Sequence, residues 1–221
     1  NLKGPVFSVS SACTSGAKAL ASAARLLRLG VCDAIIAGGV DTLCNMTIEG
    51  FSSLSVTTDG VCNPFSVNRK GINIGEGAAL FLLTREPSMV RLCGIGETSD
   101  AYHISSPHPE GEGAEKAMLL ALEQAKTDSA KIDYLNFHGT GTKQNDKMEA
   151  LAVHRVFGEE IACSSTKPLT GHTLAAAGAI EAVFCWLALQ RNDSKLPPHR
   201  WDGQQDPDLP RLINIAASKA Q

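Results

Sequence analysis

A chain of 221 residues with a formal charge of −3 can bury a sizeable core but has no basic excess to hold nucleic acid. Its residues are 43% hydrophobic, 5% aromatic and 19% charged, so the core falls to Ala, Val, Leu and Ile, which suits α/β layers better than a β-sandwich. Seven cysteines without a CxxC pair speak for a reducing, cytoplasmic setting and against a disulfide framework or a structural zinc site. No apolar run is expected to span a membrane. The longest candidate, residues 175–189, is interrupted by Gly178 and Glu181. There is no signal-peptide pattern, and the chain opens at Asn1 without Met, as expected of a piece of a longer protein.

Strand-like and helix-like stretches alternate along the chain. Residues 6–10 read as a short strand. Residues 14–29 read as an Ala/Leu-rich helix stopped by Gly30. Residues 33–40 (DAIIAGGV) read as a buried strand whose Gly38 and Gly39 admit another backbone. Residues 57–77 form a polar loop, followed by strands at 78–84 and 90–97 and a helix at 114–126. A strand over 133–137 ends at His138. A helix at 147–157, a strand at 161–165 and a long buried helix at 173–190 come next. A Pro-rich segment over 197–210 leads to a last strand at 212–217. Such alternation indicates an α/β layered fold.

Three turns at predicted strand ends carry reactive side chains, and strand ends are where open α/β sheets place functional groups. The first, VSSACTSG, sets Cys13 between a strand and a helix N-terminus, where a thiolate is favoured. By that motif alone, a packing cysteine in a small-residue turn is the commoner reading. The second, FHGTGT, points His138 from a strand end, or else buries it as a hydrogen-bonded core histidine in a tight turn. The third, SSTKPLTGH, puts His172 at the opening of a helix, where the helix N-terminus keeps an imidazole neutral; a cap-like polar residue is the alternative. Lys167, in the same turn, reads otherwise as a solvated lysine. One cysteine and two neutral imidazoles at such junctions meet the needs of thioester condensation. The thiolate holds an acyl group, and two donors stabilise the enolate left by decarboxylation.

VSSACTSG, AGGVD, INIGEGAA, DAYHISSPHPEG, FHGTGT and KPLTGHTLAAAG, in this order and spacing, resemble the β-ketoacyl-acyl-carrier-protein synthases of the elongating, Cys–His–His kind. The resemblance spans nearly the whole chain. It implies a thiolase-like layered α/β/α/β/α fold, usually dimeric and incomplete here. Residues 1–95 would be the remainder of its N-terminal half, with the nucleophile. Residues 96–221 would be most of its C-terminal half, with both histidines.

By the same resemblance the enzyme performs a decarboxylative Claisen condensation in fatty-acid or polyketide synthesis. Cys13 holds the acyl chain, while His138 and His172 support malonyl decarboxylation. Lys167 looks like the lysine that pairs with a glutamate, and Glu149 stands in the matching place, although Asp146-x-x-Glu149 also reads as a helix capping box. Thr140 and Thr142 match threonines that contact the phosphopantetheine arm. No enzyme-bound cofactor or metal is implied: the substrates ride on acyl carrier protein, and the partner is a second copy or a related subunit. The charged loop at Asn68 and Arg69 reads as solvated, with carrier-protein contact as the alternative.

Complete members are roughly twice this length. The resemblance therefore implies missing N-terminal elements and a missing C-terminal Gly/Phe-rich loop, so the isolated chain is expected to condense little. A non-condensing chain-length-factor-like partner is disfavoured by Cys13 together with both histidines. A thiolase-type enzyme is disfavoured because no cysteine follows Cys185. A Cys/His metal or ligand module is disfavoured by the lack of carboxylate-supported ligand spacing.

Overall fold

The computed structural model describes residues 3–191 and 195–211. In chain order its elements are α1 (Ser15–Arg28), β1 (Ala34–Asp41), α2 (Asn45–Ser53), β2 (Gly77–Thr84), α3 (Glu112–Ala125), β3 (Tyr134–Asn136), α4 (Lys143–Phe157), β4 (Ala162–Ser164), α5 (Lys167–Thr170) and α6 (Ala177–Arg191). Short 3-10 turns cover Ser129–Lys131 and Leu174–Ala176. Two compact units interleave along the chain. One comprises Asn1–Cys44, Ile74–Leu92 and His172–Ser194, and the other Asn45–Asn73, Cys93–Gly171 and Lys195–Gln221.

In the first unit, α1 buries Ala21, Ala23, Ala24 and Leu27. It ends as expected: Gly30, at φ +70°, donates its N–H to the Leu27 carbonyl, the left-handed residue that closes many helices. β1 and β2 pair antiparallel from Ala34↔Thr84 to Asp41↔Gly77. On one face, small residues bring backbones together. A Cβ on Gly39 would lie 2.6 Å from the Ala175 carbonyl, and one on Gly16 2.8 Å from the same oxygen.

The other face of this sheet corrects the expectation of a buried strand. Ile36 pairs with Leu82 and Val40 with Ala78, and Ile36 and Leu82 stand 60% and 69% exposed. Residues 6–10 likewise form no ladder among the described residues, and Val6 and Phe7 are exposed. The expected long helix at 173–190 begins instead as the 3-10 turn and becomes α-helical at Ala177. Only Ala177 and Ala179 of α6 are buried. The expectation that no segment reaches membrane-spanning length is not supported by length and composition alone, a criterion that core helices also meet. Leu174–Arg191 is long and apolar enough by length and composition.

In the second unit, β3 and β4 run parallel from Tyr134↔Ala162 to Asn136↔Ser164. The Phe137 N–H extends this ladder to the Ser164 carbonyl at 2.8 Å. Phe65, Phe137, Ala150, Val153, Ile161, Cys163 and Leu209 form the core. Phe65 and Phe137 have ring centroids 4.4 Å apart. α3 and α4 pack together, joined by the Arg155 Nη1 to Glu115 Oε2 ion pair at 2.7 Å.

The expected strand at 90–97 finds no ladder partner among the described residues. Its Gly94 and Gly96 lie against α3, where a Cβ would come within 2.0 and 1.7 Å of the Ala121 and Ala117 carbonyls. α2 was not anticipated, and α4 starts four residues ahead of the expected Lys147. The strand expected at 212–217 lies outside the described residues.

Candidate active site

Cys13 is presented by a strained elbow. Ala12 adopts φ +51°, a left-handed conformation that costs an L-residue about 1–2 kcal/mol. The neighbouring hydroxyls hold it there. Ser15 Oγ donates to the Ala12 carbonyl at 2.6 Å and accepts the Ser11 N–H at 2.9 Å, and Thr14 Oγ1 donates to the Ser11 carbonyl at 2.7 Å. α1 begins two residues after Cys13, which sets the thiol near the positive end of the helix dipole.

His172 approaches from another segment of the same unit. It bridges to Ile74, and its carbonyl accepts the Gly75 N–H at 3.0 Å. Asp41 Oδ2, at the end of β1, accepts the Ala175 N–H at 3.0 Å and anchors the following turn. His172 is buried, with Nε2 3.0 Å from Cys13 Sγ. The cysteine and histidine predicted from separate motifs are thus in hydrogen-bonding contact, and a proton can pass between sulfur and nitrogen. One detail is corrected: His172 lies five residues ahead of α6, in an extended bridge. The 3-10 turn at Leu174–Ala176 stands between it and α6.

The second unit assembles the other predicted residues around the 138–142 turn. Gly139 and Gly141 take φ +41° and +78°, conformations open to glycine. The Glu149 carboxylate grips this turn, accepting the His138 N–H at 2.6 Å and the Gly139 N–H at 2.7 Å. Burial pushes its carboxyl up to about 7, against the pull of these two donors and of the Lys167 ammonium. Thr140 and Thr142 hold their hydroxyls 2.9 Å apart. Lys167 is buried at the start of α5, correcting its alternative reading as a solvated lysine.

The capping-box reading of Asp146 and Glu149 is corrected as well. The N-cap of α4 is Thr142, which leaves Asp146 inside the first turn. Fully buried, Asp146 accepts the Phe65 N–H at 2.8 Å and the Gly141 N–H at 3.1 Å. Arg69 is not solvated either. It is 5% exposed, donates through Nη1 to the Ser66 carbonyl and to Asp206 Oδ2, and lies 3.7 Å from Asp146 through Nε. Sequence reasoning passed over Asp146 as a loop-binding residue, and also Ser165 and His199. The only signal was Asp146 following the Gly/Thr turn. His199 sits in a polar Pro-rich stretch with no motif. Among the described residues no group of three or more His, Cys, Asp or Glu could hold a metal ion.

Against this geometry, residues 1–88 match the beta-ketoacyl synthase N-terminal domain and residues 89–200 the beta-ketoacyl synthase C-terminal domain. Nodulation protein E of Rhizobium leguminosarum bv. trifolii is 41% identical over 97% of this chain and 56% of its own length. The 3-oxoacyl-[acyl-carrier-protein] synthase 2 of Staphylococcus aureus is 37% identical over 99% and 58%. A ketosynthase from Xenorhabdus doucetiae, solved in complex with its chain length factor, superposes with a TM-score of 0.93. It is 50% identical and covers 96% of this chain and 53% of that one. The chain therefore has the thiolase-like α/β fold of the ketosynthases and spans about half the length of the curated relatives it matches. Motifs, fold and two consecutive domain matches agree, and the chain belongs to the beta-ketoacyl synthase family.

Proposed function

We propose that the enzyme carrying this chain is a β-ketoacyl-acyl-carrier-protein synthase. The observation that carries this reading is the 3.0 Å contact between Cys13 Sγ and His172 Nε2 beside a helix N-terminus. Cys13 attacks the carbonyl of an acyl thioester, and the carrier thiol departs with the proton. A malonyl thioester then loses CO2, and its enolate carbon attacks the acyl group on Cys13. The cysteine sulfur leaves, and a 3-oxoacyl thioester remains on the carrier.

In this reading the imidazoles of His172 and His138 donate to the enolate oxygen. Glu149, gripping two N–H groups of the 138–142 turn, and Lys167 keep His138 aimed. Thr140 and Thr142 offer hydroxyls to the phosphopantetheine arm. The partners are acyl carrier protein, named in one relative above, and a related subunit, as the Xenorhabdus ketosynthase has in its chain length factor. The enzyme binds no cofactor of its own. Residues 1–95 and 96–221 would be parts of the two halves of the complete fold, in a reducing cytoplasm where the seven cysteines stay as thiols.

The test is mass spectrometry of the intact enzyme after incubation with acyl-carrier proteins of several chain lengths. An acyl mass on the peptide containing Cys13, absent in Cys13→Ser, is expected. No mass shift on Cys13 with any donor overturns the proposal.

A further inference from the structure

His199 is fully buried in the second unit, behind Pro197 and Pro198. Its ring joins two backbone groups from distant segments. Nδ1 accepts the Ser165 N–H at 3.0 Å, and Nε2 lies 3.2 Å from the Pro64 carbonyl. A carbonyl only accepts and an amide N–H only donates, so the neutral imidazole protonated at Nε2 is the form that satisfies both. Trp201 meets the ring edge-on at 5.4 Å, and Phe65 lies at 6.1 Å. Burial pushes the imidazole down to about 4, in keeping with a neutral ring.

Ser165, itself fully buried, carries the linkage onward. Its hydroxyl donates to the Gly139 carbonyl at 2.7 Å and accepts the Lys167 N–H at 3.3 Å. Gly139 follows His138, and its N–H is one of the two held by Glu149. A single serine thus ties the turn of His138 to that of Lys167, and His199 pins the backbone of that serine.

We propose that His199 is a positioning residue, the neutral buried acceptor that sets Ser165 and through it the His138 and Lys167 turns for malonyl decarboxylation. The inference rests on the condensing reading above, and it separates two steps. The Ser165 linkage runs to the turns of His138 and Lys167, so decarboxylation suffers when His199 is lost while acyl loading on Cys13 is spared.

The experiment compares His199→Phe, which removes both ring hydrogen bonds, with His199→Asn, whose side-chain oxygen replaces Nδ1 as acceptor. In the intact enzyme, His199→Phe is expected to slow malonyl-carrier decarboxylation about tenfold, the effect of losing the acceptor for the Ser165 N–H, while Cys13 acylation stays near wild type. His199→Asn restores most of the decarboxylation. Hydrogen exchange of peptides covering 137–142 and 164–168 rises in His199→Phe alone, with the α3 peptide unchanged.

Equal loss of acylation and decarboxylation, identical behaviour of the two variants, unchanged rates, or exchange rising throughout the unit would each overturn the proposal. If His199→Phe does not accumulate folded, His199→Asn decides: kept decarboxylation supports the acceptor role, and parallel loss of both steps refutes it. A wild type that neither acylates nor decarboxylates sinks the condensing reading, and the exchange pattern still decides the positioning.

Discussion

A histidine buried without charge makes a protein sensitive to acid, and the sign follows from which state binds the proton first. Burial lowers the imidazole of His199 from 6.5 to about 4, so the unfolded chain takes up the proton earlier as pH falls. The stability that His199 contributes is complete above 6.5, declines between 6.5 and 4, and is level below that. The gap corresponds to about 3 kcal/mol. Glu149 acts in the opposite direction. Burial raises its carboxyl from 4.5 to about 7, so the stability it leaves to the native state falls as pH rises through that window. The two partly offset in wild type, and the histidine is read by difference. The gap in unfolding free energy between wild type and His199→Phe, from urea titrations, is expected to shrink by about 3 kcal/mol from pH 7 to pH 4. A gap that does not change with pH would mean that His199 is not buried neutral.

At the scale of elements, the first unit is held by close backbone approach where larger units use bulky side chains. Gly39 on β1 and Gly16 on α1 both face the Ala175 carbonyl, and Gly178 on α6 lies against Ala17. Gly39→Val would drive a side chain into the 174–176 turn that follows His172. It is expected to cost about 1–3 kcal/mol, as overpacking does, and to disturb the Cys13–His172 contact. Gly60, with nothing within 4 Å of an added Cβ, provides the control. Thermal unfolding of Gly60→Ala is expected to stay within about 0.5 kcal/mol of wild type. Equal effects of the two substitutions would show that the Ala/Gly contact does not limit packing. Gly38 and Gly39 were legible in the sequence as sites of close approach. What they approach was not, because residue 175 lies more than a hundred positions from Gly39.

For the molecule as a whole, the open face of the β1–β2 sheet is the feature that governs its behaviour in solution. Ile36, Val40, Leu80 and Leu82 point outward from paired strands, and a contiguous apolar sheet face invites association. The 221-residue chain studied alone is expected to self-associate with rising concentration in sedimentation experiments. Leu80→Lys with Leu82→Glu is expected to suppress this without loss of helical signal. Monomeric behaviour of the unsubstituted chain at all concentrations would refute the expectation.

The local chemistry was written in the sequence. The helix of residues 15–28, the strand over 77–84 and the turns bearing Cys13, His138 and His172 follow from residue types and short spacings, since capping, turn geometry and periodicity act over a few residues. The tertiary structure decided what those turns meet. It brought Nε2 of His172 to Cys13 from 159 positions away and gave Glu149 to the backbone of His138 and Gly139. It also buried Arg69 against Asp146 and Asp206 and made His199 an acceptor for Ser165. Each of these depends on desolvation and on partners far along the chain, and a charged or polar residue shows neither until the core has closed around it.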